Sequence, residues 1–229
     1  MAGYPPVEVK VWGELACFTR PEMKAERVSY SVMTPSAARG ALEAIFWKPE
    51  FSWQIREIWV LNAIRHFSIL RNEVNNKAVV STARRWAEKG GGYFAEEDRA
   101  QRHTLAVRDV AYIIKADVAL AAHATDEVAK YRAQFRRRVN QGTCHHRPYF
   151  GCREFAASFG PPDGSEQALE LSDDLGLMLF DRDYARDGSG RGSPRFFSAR
   201  LDRGVLRVPP ELYRKESDSN VASKACSVL

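Results

Sequence analysis

Apolar and polar positions along the chain sort into a short series of elements. Val7, Val9 and Val11 alternate with Glu8 and Lys10, the period of a half-buried first strand. Thr34-Pro35 reads as an N-cap followed by the first helical residue, and SAARGALEAIFW continues the helix. Ala38, Leu42, Ile45 and Phe46 share one face of it, and Lys48-Pro49 supply the stop. Gly40 inside that helix costs about 1 kcal/mol against Ala, which implies that a backbone or a ligand passes close by. Phe51, Trp53 and Ile55 alternate with Ser52, Gln54 and Arg56, giving a second strand that runs on through Ile58 to Leu61. Phe67 and Ile69 fit a further strand. Residues 71 to 107 keep no sustained period; with Arg84-Arg85-Trp86 and Gly90-Gly91-Gly92-Tyr93 they read as a flexible loop, the alternative being a mobile loop that lays cations on a substrate. Clean alternation returns from Val110 to Leu120, a third strand.

The next segment, Thr125 to Phe155, concentrates the chemistry. Thr125 can cap a helix, Asp126 and Glu127 suit the positive end of its dipole, and Gly142 offers the stop. Val128, Tyr131, Phe135 and Val139 form one apolar stripe. Lys130 and Arg137 point away from the stripe, while Arg132, Arg136 and Arg138 flank it. Cys144-His145-His146-Arg147 and Tyr149-Phe150 add titratable and stacking groups. Five cations on one short helix, followed by rings, suit a phosphate backbone with unstacked bases; a solvated face is the plainer alternative. Tyr149 to Phe159 is expected to form the next strand.

The resulting order, β-α-β-β-α-β, defines an α+β chain with a ferredoxin-like or RRM-like domain over residues 1–160. No aromatic RNP signature marks the sheet, so readout on the sheet face is not expected. Gly160-Pro161-Pro162-Asp163-Gly164 forms the boundary. Beyond it, Leu175 to Tyr184 and Phe196 to Val208, turning at Asp202-Arg203-Gly204, make a small antiparallel β-sheet domain over 161–215. The Gly188–Gly192 loop is a flexible basic tip, and 216–229 form a polar, disordered tail.

Composition narrows the partners modestly. Thirty-four Lys and Arg against 29 Asp and Glu leave a net charge of +5, which leans toward nucleic acid. The opening MAGYPPVEV has no cation-led apolar stretch and no run is long enough to span a bilayer, so neither a secretory leader nor a membrane partner is expected, and the expected location is cytoplasmic. Cys17, Cys144, Cys152 and Cys226 are scattered as in a reducing compartment. Cys144, His145, His146 and Cys152 match no common zinc spacing, so no metal and no cofactor is expected.

Three stretches carry a resemblance. VWGELACFTRPE, SYSVMTPSAARGALEAIFWKP, and AKYRAQFRRR with PYFGCREF together resemble the fifth family of CRISPR-associated proteins, in its subtype I-C form. The similarity runs from about Val7 to Phe159 and continues more loosely into the C-terminal strands. It implies a modified RRM-like domain, a small C-terminal sheet and cleavage of precursor CRISPR RNA at the repeat hairpin. It also implies retention on the 5′ handle of the guide beside the backbone and large subunits of the interference complex. Family catalysis is attributed to a Tyr ending the first helix and a Lys-His pair opening the second. Here those positions hold Phe46, Lys130 and Tyr131, so two of three depart from the pattern. The alternative bases are His123, His145 and His146. The implied chemistry is attack by the ribose 2′-OH on the adjacent phosphorus, with Lys130 stabilising the phosphorane and Tyr131 holding or exchanging a proton. Arg39, Arg132, Arg136, Arg137, Arg138 and Arg147 would grip phosphates. The competing readings are a non-catalytic RNA scaffold and a double-stranded DNA-binding protein.

Overall fold

A computed structural model describes residues 4–77, 79–184 and 192–214. The expected tail at 216–229 and the tip at 188–191 lie outside the described residues. Strand β1 (Val7–Ala16) pairs antiparallel with β5 (Arg99–Leu120), which in turn pairs antiparallel with β3 (Phe51–Val60). The two-residue β2 (Arg27–Val28) pairs parallel with β5 at Thr104 and Leu105, and a short β6 (Ser158–Gly160) adds to the free edge of β1. At the other side, β9 (Val205–Arg207) pairs with β3 and continues through β8 (Gly192–Asp202) to β7 (Asp173–Tyr184). The path is thus β6-β1-β5-β3-β9-β8-β7 within one sheet, and the C-terminal strands join the same sheet as the N-terminal ones. The protein is α+β.

Two helices pack on this sheet. Helix α1 (Pro35–Ile45) starts as the sequence implies: Thr34 Oγ1 accepts from the Ala37 N–H at 3.3 Å, with Pro at N1. Its buried face includes Ala38, Leu42 and Ile45. The helix stops at Ile45, two residues before the expected end at Trp47, because its last carbonyls are taken by groups from elsewhere. Arg138 Nη1 donates to Ile45 O at 2.8 Å, and the His145 and His146 N–H groups both donate to Ala44 O. Trp53 Nε1 donates to Phe46 O at 3.0 Å and ties the turn to β3.

Helix α3 (Val128–Gln141) buries Tyr131, Phe135 and Val139 as the stripe requires, with Val128 half-buried. Gly142 ends it at φ 64°, where the Gly142 and Thr143 N–H groups satisfy the last carbonyls. The expected Thr125 cap is corrected: Glu127 flanks the first turn with no side-chain cap bond, and Asp126 is spent on Lys130. Phe51 links the helices, with ring centroids 5.4 Å from Phe46 and 5.1 Å from Tyr131.

Residues 71 to 107 are not a loop. Strand β4 (Arg65–Val74) pairs in register with the first ten residues of β5 and carries α2 (Val80–Lys89) beyond its end. Most of β4 is exposed and α2 buries no residue, so beyond its base, where Thr104, Ala106 and Val107 are buried, this arm has no core to face. Without a core, nothing enforces an apolar alternation, which is why the sequence shows none. The arm meets the sheet at Asp109, whose φ of 53° bends β5 and whose carbonyl accepts from the Asn62 amide at 2.8 Å.

The expected strand over Tyr149 to Phe159 is also corrected. Only Ser158–Gly160 pairs as a strand, and Tyr149 forms a lone bridge to Ala156. Between them the chain folds back, with Phe150 N–H donating to Phe155 O at 2.8 Å. Cys17 N–H donates to Phe150 O at 3.0 Å. Gly151, at φ 79°, lies so close that a Cβ there would run into the Cys17 carbonyl. The PYFGC motif is therefore a tight clasp on the end of β1. The C-terminal strands are strapped on by Tyr213, whose hydroxyl accepts from Ile55 N–H at 2.8 Å and donates to Ile55 O.

Candidate nucleic-acid interface and active site

Helix α3 turns one exposed face outward, and Lys130 opens it. The Lys130 ammonium is exposed and held 2.8 Å from Asp126 Oδ2, a hydrogen bond that raises its pKa above the usual lysine value. It therefore remains a cation through neutral and mildly alkaline pH. Arg137 follows a heptad later on the same face, about 10 Å along the axis. Arg136, Arg137 and Arg147 are exposed and enter no ion pair among the described residues.

Tyr131 faces the other way. It is 1% exposed, lies against Phe51, and its hydroxyl finds no hydrogen-bond partner. Burial pushes the phenol up, the charge of Glu50 adds to that, and Lys130 pulls weakly back. A phenol so placed keeps its proton at neutral pH. Glu50 Oε2 is likewise buried without a partner. Glu50 also anchors the loop after β5, since its carbonyl accepts from Ala121 N–H at 2.8 Å. His123 sits exposed in that loop. The structure thus gathers Glu50, Asp126, Lys130 and Tyr131 around the start of α3, with His123 in the loop that precedes it. Glu50 carried no signal in the sequence: it is a single acid between a proline and a strand.

The remaining candidates are distributed differently. Phe46 is 2% exposed, under the Arg138 guanidinium at 5.3 Å, and does not reach the surface. His145 and His146 are exposed beyond the other end of α3. Twelve residues separate Lys130 from Gly142, about 18 Å of helix, so these histidines are not brought to Lys130. Arg132 is buried; its guanidinium donates to Pro5 O and covers the Tyr4 ring at 5.2 Å. Arg138 is spent on Ile45 O, and Arg39 is clamped between Glu43 and Asp181, each at 2.7 Å. Of the six arginines, three therefore hold the fold and three face outward. Among the described residues no three His, Cys, Asp or Glu side chains converge as a metal site would need, and no helix is long and apolar enough to cross a membrane.

The architecture matches solved CRISPR-associated folds. A structure described as a CRISPR-associated protein superposes with a TM-score of 0.63 at 22% identity, covering 92% of this chain and 95% of that one. A chain of a CRISPR RNA-guided surveillance complex follows at 0.50 and 11% identity, covering 95% and 98%. At these identities the likeness defines the class of fold alone. Sequence carries it further. The family model described as CRISPR-associated protein (Cas_Cas5) matches residues 7–209, and the chain belongs to that family. A relative from Thermus thermophilus, the CRISPR pre-crRNA endoribonuclease Cas5d, is 48% identical over 91% of this chain and 93% of its own length.

Proposed function

We propose that this protein is an endoribonuclease that cuts precursor CRISPR RNA within the repeat and then stays on the 5′ handle in a type I-C interference complex. The near-full-length identity to a named pre-crRNA endoribonuclease supports the activity. The observation on this chain that carries it is the α3 face, where Lys130, exposed beside Asp126, and Arg137, exposed with no ion pair among the described residues, stand one heptad apart. Membership of the Cas5 family, with the resemblance to its subtype I-C form, supports the assembly with backbone and large subunits. We read the β6-β1-β5-β3 strands with α1 and α3 as the modified RRM-like domain, and residues 161–215 as the smaller C-terminal one. A cytoplasmic location goes with this role.

The reaction follows from the groups at the start of α3. A base takes the proton of the ribose 2′-OH, and the oxygen attacks the adjacent phosphorus. His123 is the histidine on the Lys130 side of the helix and is assigned as that base. Lys130 stabilises the charge that builds on the phosphorane, where an ammonium contributes most in the transition state. Tyr131, kept protonated, would supply the proton to the leaving 5′ oxygen once RNA binding opens its buried hydroxyl to the site. No metal takes part.

Burial of Tyr131 and Phe46 favours one rival, a scaffold that grips RNA without cutting it. Purified protein incubated with its own repeat RNA, and with duplex DNA of equal length, separates these readings. Site-specific cleavage is the expected result. Tight, uncut RNA would support the scaffold, and binding to DNA without RNA preference would support a duplex-DNA protein.

A further inference from the structure

A cavity of about 350 Å³ opens between the start of α1, β7 and the PYFGC clasp. That volume lies in the range that takes one small ligand. Its lining includes Ser36, Arg39, Gly40, Tyr149, Asp181 and Tyr184, drawn from three separate parts of the chain.

Gly40 is the informative residue. It is a poor helix former in the middle of α1, yet packing does not require it: a Cβ there would meet no described atom within 4 Å. The glycine leaves the wall of the cavity bare. Charge then selects the occupant. Arg39 is already neutralised by Glu43 and Asp181, which leaves Arg182, without an ion pair among the described residues, as the cation of the lining. Beside it the cavity offers a buried Arg39 Nε–H without a partner, the Ser36 hydroxyl and the Asp181 carboxylate, which are complementary to the polar edge of a base. Tyr149 and Tyr184 are exposed and give π-faces at the walls. Arg147, exposed and without an ion pair among the described residues, lies two residues before Tyr149, outside the lining.

We propose that this cavity takes one unpaired nucleobase of the bound RNA, stacked on Tyr149, with its phosphate at Arg147. The proposal rests on the RNA-binding reading above and adds a base-reading site at a distance from Lys130. Its test is Gly40→Met, which fills the cavity from a helix position with free space and should melt no lower than wild type. Affinities are measured for the repeat RNA and for a series in which each unpaired position in turn is made abasic. Gly40→Met and Tyr149→Ala should each weaken the intact RNA by about tenfold. One abasic position should weaken wild type similarly and leave Gly40→Met no further effect. Wild-type affinity in a folded Gly40→Met variant, or equal added losses at every abasic position, would overturn the cavity assignment alone. A wild-type protein that binds no repeat RNA would overturn the RNA reading together with it.

Discussion

Tyr131 and Lys130 are neighbours with opposite surroundings, and each makes a separate prediction. The Tyr131 hydroxyl is buried without a partner, and such a group costs about 1–3 kcal/mol. Tyr131→Phe should therefore melt no lower than wild type in a thermal scan, while single-turnover cleavage slows at least about tenfold if the phenol is the proton source. A variant cutting at full rate would place Tyr131 in the core and nowhere else. Lys130→Ala should reduce the cleavage rate far more than RNA affinity, because the cation is wanted mainly in the transition state. Both groups sit above their ordinary values, Lys130 through Asp126 and Tyr131 through burial. Each keeps its proton until pH rises through that raised value. The pH–rate profile should then lack a descending limb below about pH 10; a fall beginning near pH 8 would exclude these two as the proton-bearing groups. The sequence made Lys130 legible through its place opposite the stripe. It could not show Glu50, which has no spacing partner and is brought in only by the hydrogen bond between its carbonyl and Ala121.

Helix α3 separates its arginines by orientation, and periodicity alone resolves only part of this. The stripe Val128, Tyr131, Phe135 and Val139 fixed which face goes inward. Arg132 and Arg138 border that face and were expected on phosphate, but one is drawn in by Pro5 and Tyr4 and the other by Ile45 and Phe46. Those partners come from distant segments that no local pattern reveals. Arg137→Glu should weaken RNA binding and flatten its dependence on salt, since each phosphate no longer neutralised lowers the slope by about one. Arg132→Ala should instead lower the melting midpoint, by about 1–3 kcal/mol of stability, and leave the salt slope unchanged. Urea titration and a salt series on the two variants check both outcomes. The arm of β4 and α2 was invisible for a related reason. Its strands pair over ten residues, yet most of β4 lies away from the core and leaves no alternation to read.

On the scale of the whole molecule, one sheet carries both the α3 face and the cavity beside α1, with Phe46, Phe51 and Tyr131 packed between the helices. The strands of the core and both helices that pack on the sheet were legible because each faces a core; the clasp at PYFGC was not, since its fold-back rests on backbone bonds to Cys17 and Phe155 that leave no periodicity to read. The pairing of β9 with β3, which joins the C-terminal strands to the same sheet, was not, because a three-residue strand has no period to detect. The proposed function would lay an extended RNA across the exposed face of α3, where the chain offers Lys130 and Arg137, with the ribose 2′-OH as the attacking group. The most direct measurement uses a repeat RNA with a single 2′-deoxy sugar immediately 5′ of the scissile phosphate, assayed in EDTA beside the all-ribose RNA. The all-ribose RNA should be cut in EDTA to a 2′,3′-cyclic phosphate and a 5′-OH, and the deoxy RNA should bind nearly as well and remain whole. Cleavage of the deoxy RNA, or loss of all activity in EDTA with 5′-phosphate products in its absence, would contradict the mechanism.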